Sequence, residues 1–123
     1  LFFLVLHVGT TVVDTYTHIP LISAIIPFTT SYKTGWLALG AVACDLMIAL
    51  VATSLVRNRL GHRAWRRIHW AAYLCWPVAV AHGLGAGTDR STIWVFALTV
   101  ICVAIVAAVA TWRFVSSARA GAR

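Results

Sequence analysis

Charge is what this sequence has least of: 11% of its 123 residues are charged, and only three of them are acidic. A water-soluble domain of this size keeps a large surface for its volume and needs far more polar surface than that. The apolar fraction of 61% therefore excludes an ordinary soluble domain. Cysteine is scarce as well. Cys44, Cys75 and Cys102 fall one to an apolar segment and never in CxxC spacing, which excludes a zinc ribbon or a disulfide framework and leaves small packing residues. No GxGxxG run is present, nor any internal repeat. The formal charge of +7 would suggest nucleic acid in a soluble protein. Here the basic residues sit in clusters beside apolar stretches, which points to membrane topology and to no nucleic-acid partner.

What is present is length of apolar sequence. Residues 93–115 carry no charge before Arg113, and residues 36–56 are broken only by Asp45. Each is long enough to cross a hydrocarbon layer of ~30 Å as a helix. Residues 1 to about 18 and 64–84 are apolar with histidines embedded, the pattern expected where polar groups have work inside a membrane. The expectation is an all-α integral membrane helical bundle with four transmembrane helices, one domain over residues 1–123. Pro20 and Pro27 bracket LISAIIPF and limit it to a turn or a short interfacial helix. Leu1 opens inside an apolar run without a basic leader, so the sequence is expected to continue upstream.

Charge asymmetry orients the bundle. RNRLGHRAWRR holds five arginines in eleven residues, Arg57, Arg59, Arg63, Arg66 and Arg67. Arg113, Arg119 and Arg123 fall on the same side after two more crossings, against Lys33 and Arg90 on the other. The arginine-rich loop and the C-terminus are expected in the cytoplasm of a multi-pass cell-membrane protein.

Four histidines lie on two helices that would run in the same direction. His7 and His69 fall toward the cytoplasmic level, and His18 and His82 toward the outer level. The rise of a helix separates the levels by ~16 Å on one helix and ~20 Å on the other, room for two stacked macrocycles. Neutral imidazole is a good heme-iron ligand, and two of them make a six-coordinate iron suited to electron transfer. The depth pattern therefore predicts His7 and His69 on an inner heme iron and His18 and His82 on an outer one. On an ideal helix His7 and His18 share a face, whereas His69 and His82 project roughly 140° apart. Pro77, between them, is expected to distort that helix.

Other residues support this reading. Arg66 and Arg67 lie a turn before His69, where heme propionates would emerge, and guanidinium forks suit carboxylates; lipid phosphates suit them equally. Asp14, four residues before His18, is expected to fix that ring's tautomer. Asp45 lies near mid-membrane, where a carboxylate is protonated or paired, and is open to a proton-path role. His62 reads as solvated. Trp36, Trp65, Trp94 and Trp112 read as interface anchors, while Trp70, Tyr73 and Trp76 lie deeper.

The run TSLVRNRLGHRAWRRIHWAAYLCWPVAVAHGLGAGTD resembles the ferric reductase-like transmembrane domain, in its basic loop with Leu-Gly, its Trp65 and Tyr73, and the thirteen-residue step from His69 to His82. LVLHVGTT resembles the helix that carries the partner histidine, at His7. The resemblance implies a six-helix core with two helices upstream of Leu1, one or two b-type hemes, and membrane electron transfer within an oxidoreductase. It differs from that family's oxidases in the eleven-residue step from His7 to His18. The eight residues given after Val115, SSARAGAR, are too few for a flavin or nicotinamide domain, so the donor is expected to be a separate flavoprotein, a quinol or a region outside this sequence, with iron, oxygen or a protein as acceptor. Two rival readings stand beside it: a non-redox accessory subunit anchoring a larger membrane complex, and a proton-conducting protein built on Asp45.

Overall fold

The computed structural model describes residues 1–121. Arg123, and the side chain of Arg90, both counted in the charge asymmetry, lie outside the described residues. The described residues form helices in the order α1 (Phe2–Val13), a 3-10 turn at Leu21–Ala24, α2 (Thr34–Leu55), α3 (Arg57–Leu60), α4 (His62–His69), α5 (Ala72–Ala86), a second 3-10 turn at Asp89–Ser91, and α6 (Ile93–Gly121). No strand occurs among the described residues. Leu1–Gly87 form one compact unit and Thr88–Arg123 a second.

Of the four spans expected, two helices among the described residues have the length and composition to cross a membrane: Thr34–Leu55 and Ile93–Arg119. The first expected span is cut short. α1 has 12 residues, about 18 Å at the rise of a helix. Asp14 turns extended (φ −63°, ψ 116°), and its carboxylate accepts from the Tyr16 N–H at 3.0 Å and the Thr17 hydroxyl at 3.2 Å. Such an Asx turn offers the backbone an alternative to another helical turn. His18 then adopts a left-handed conformation (φ 46°), and Pro20 keeps Ile19 out of the helical region.

The third expected span is divided between α4 and α5. At their junction the Trp70 N–H donates to Arg67 (3.2 Å) and the Ala71 N–H to Ile68 (2.9 Å), three residues back in each case. The tighter winding continues through Tyr73 to Trp70 and Leu74 to Ala71, both 3.1 Å. This junction, and not Pro77, is where the helix is overwound, since α5 runs unbroken through its proline. A 3-10 stretch advances roughly 20° more per residue than an α-helix, which rotates His82 relative to His69 and narrows the phase gap expected from ideal winding.

In the first unit α2 and α5 pack antiparallel: Trp36 meets Gly85, Gly40 meets His82, and the Cys75 thiol reaches the Ala43 carbonyl at 3.6 Å. Ala38, Ala41, Ala43, Cys44 and Cys75 supply the buried seam. Small side chains let two helix backbones approach closely without any difference in polarity to drive them together. At one end the Trp36 indole lies directly over Gly85, in space that a β-carbon would occupy. The Lys33 ammonium closes the same end, donating to the Ala86 carbonyl at 2.9 Å and Gly85 at 3.5 Å. A cation at a helix C-terminus satisfies carbonyls that lack an intrahelical donor.

The second unit is mainly α6, 29 residues long and apolar around its circumference. Trp94, Phe96, Leu98, Ile101, Ile105, Val109 and Trp112 are all exposed. A helix apolar on every side suits a surrounding as apolar as itself.

Candidate functional site

α1, the 19–24 segment, α2 and α5 line an open cleft of about 200 Å³. Its walls are apolar, among them Leu4, Val8, Ile19, Leu37, Met47 and Ala79, and His7 and His82 stand within it. Mostly apolar walls with a few polar groups are the lining expected of a ligand site.

The two imidazoles face each other with centroids 6.2 Å apart and planes at 79°. His82 is held from behind. Its Nδ1 lies 2.8 Å from the Trp36 carbonyl, which can only accept, so Nδ1 carries the hydrogen and Nε2 keeps its lone pair. Metal-ligating histidines are commonly oriented by such a bond. Gly40 makes room for the ring: a β-carbon there would stand 2.6 Å from His82 Cε1 and 2.7 Å from Nδ1. His7 sits on α1, where its carbonyl accepts from the Thr10 and Thr11 hydroxyls at 3.0 and 2.8 Å.

This spacing can be compared with that of an axial pair. With metal–nitrogen bonds of about 2 Å and ring nitrogens about 1.1 Å from their centroids, two imidazoles on one iron place their centroids roughly 6 Å apart. Planes that share the ligand axis are free to cross at any angle. Among the described residues no three His, Cys, Asp or Glu side chains converge on one point. A lone metal ion would need more ligands than this cleft offers, whereas a heme iron brings four nitrogens of its own and asks for two. The cleft offers two imidazole donors and no third such ligand among the described residues.

The structure groups the other expected site residues differently. His7 meets His82, where depth alone had paired His7 with His69 and His18 with His82. With α1 ending at Val13, depth counted along one continuous helix to His18 no longer applies. His18 is exposed in the loop that follows. Asp14 serves Tyr16 and Thr17 in the turn that ends α1.

His69, the last residue of α4, stacks on Trp65 with centroids 4.5 Å apart and planes at 31°, and His62 lies 5.7 Å from the same indole. His69 Nδ1 and Trp65 Nε1 are both buried without a hydrogen-bond partner. Unpaired buried nitrogens on successive turns are costly and mark a place where another polar group belongs. Arg66 and Arg67 are exposed, and the Arg66 guanidinium donates to His62 Nε2 at 2.8 Å. Asp45 is half-buried on α2 and does not line the cleft.

Sequence reasoning missed Gly40, the Trp36 carbonyl and the contribution of Ile19 and Ser23. Only Gly40 left a signal, as a glycine inside a helix where alanine is the better former. No family model, curated protein or solved structure matches this chain.

Proposed function

We propose that this chain is a membrane-embedded heme b subunit of the ferric reductase-like kind, relaying electrons across a bilayer, and that His7 and His82 would hold one iron. The observation that carries this reading is the facing pair itself, 6.2 Å apart in an apolar cleft, with one member locked in the tautomer that leaves Nε2 free to ligate. Heme, when bound, supplies a one-electron couple. The chain's own part is to hold two neutral imidazoles at fixed separation, to keep water from the cleft with aliphatic walls, and to tune the His82 ring through its hydrogen bond to Trp36.

In this reading α2 and α6 span the bilayer, α1 and α5 complete the bundle within it, and the arginines of residues 57–67 lie on the cytoplasmic side. His69, stacked on Trp65 with an unpartnered ring nitrogen, is the candidate ligand for a second heme nearer that side. His18 has no place in either site. The electron donor is a separate flavoprotein or a quinol, and the acceptor is iron, oxygen or a protein.

The test is a reduced-minus-oxidised absorbance spectrum of the purified full chain. A low-spin b-type spectrum is expected, lost in both His7→Ala and His82→Ala and retained in His18→Ala. A colourless preparation with no extractable heme overturns the proposal. A spectrum indifferent to His7 and His82 would move the site elsewhere.

A further inference from the structure

The sharpest concentration of charge in the molecule lies away from the cleft. Arg57, Arg59, Arg63, Arg66 and Arg67 are all exposed on α3 and α4. No acidic residue occurs between Asp45 and Asp89, so this segment has no neighbour in sequence to neutralise it. Among the described residues only Arg66 of the five has a side-chain acceptor, the Nε2 of His62. Five like charges within eleven residues repel one another and call for anions from outside.

The segment is also shaped for them. Gly61, with a left-handed φ of 75°, turns α3 back onto α4 and leaves an open cleft of about 420 Å³ lined by Arg57, Asn58, Gly61, His62 and Trp65. Gly61 is the residue before α4 and provides no side-chain hydrogen bond to its first N–H groups. A guanidinium, an amide and open backbone N–H groups are the donors that phosphate oxygens take.

The surroundings favour a lipid over a soluble phosphate. The cleft follows directly on the end of α2, a helix of membrane-crossing length. Exposed Leu55, Leu60, Ile68 and Trp70 are interleaved with the arginines. A free anion would cover none of that apolar surface, whereas the headgroup zone of a bilayer covers both kinds at once.

We propose that α3 and α4 form a binding surface for anionic phospholipid, with the headgroup phosphate seated against Arg57 and Asn58. The inference does not depend on the heme reading. It is tested on the purified, delipidated full chain, offered equal amounts of phosphatidylglycerol and phosphatidylcholine and read by native mass spectrometry. Phosphatidylglycerol is expected to be retained about fivefold or more over phosphatidylcholine. Arg57→Gln with Arg63→Gln should abolish that preference, Arg57→Lys with Arg63→Lys should largely keep it, and Arg113→Gln with Arg119→Gln should leave it unchanged. If the Gln pair misfolds, as read by circular dichroism, the Lys pair and the α6 pair still decide. Equal retention of the two lipids overturns the proposal and leaves the patch to an acidic protein. Displacement of the lipid by millimolar inorganic phosphate overturns it in favour of a soluble anion. A loss of preference as large in the α6 pair as in the Gln pair overturns it in favour of non-specific charge.

Discussion

Single atoms decide the cleft. Gly40 is tolerated inside α2 because the His82 imidazole occupies the space where a side chain would begin. Gly40→Ala should therefore push the ring off the Trp36 carbonyl while improving local helix propensity. Heme content of the purified protein is expected to fall severalfold with little loss of helicity, a separation that absorbance and circular dichroism together reveal. At the far end of the same seam, Lys33 is held by two α5 carbonyls and itself sits in left-handed backbone (φ 40°). Lys33→Met removes the donor and should cost about 1 kcal/mol, read as a lower melting temperature. The residues that sequence reading singled out are the same type of residue the cleft uses, and His7 and His82 were legible as histidines on apolar helices. Their mutual pairing was not. It is a contact between residues 75 apart in sequence, whereas the end of α1, marked by Asp14 accepting from the Tyr16 N–H, bears on His18.

Among the elements, α2 and α5 make the only broad helix-to-helix seam in the first unit, and small residues make it possible. Ala41 is 2% exposed and lines both the seam and the cleft. Ala41→Leu inserts three carbons into a contact with no slack, and a penalty of roughly 1–3 kcal/mol is expected from overpacking. The matched change Ala107→Leu on exposed α6 should be silent, so the difference in melting temperature between the two variants checks the seam. Apolar length and scarcity of charge made α2 and α6 readable from sequence. They misjudged the other two segments for a physical reason: hydropathy measures how apolar a stretch is, and says little about a hydrogen-bonded turn inside it. α1 ends at such a turn, and α4 gives way to α5 at a run of three-residue hydrogen bonds around Trp70 and Ala71.

For the whole molecule, the distribution of arginine implies a side. In the proposed topology, Asn58 faces the cytoplasm. With Cys102, the exposed one of three free thiols, changed to Ser, an Asn58→Cys protein in right-side-out vesicles should resist an impermeant maleimide until the membrane is opened. Immediate labelling would invert the topology and, with it, the direction in which electrons are proposed to travel.

The sequence by itself determined the helical class, two helices of membrane-crossing length, the clustering of arginine in residues 57–67, and the presence of imidazoles on apolar helices. These are properties of composition and of local periodicity, which each segment carries wherever it is placed. Only the tertiary structure decided which imidazoles meet, which carbonyl sets the tautomer of His82, and that a glycine lies beneath its ring. Those are matters of register between helices far apart in the chain, and register follows from how small side chains interlock across α2 and α5, a fit that no single segment contains.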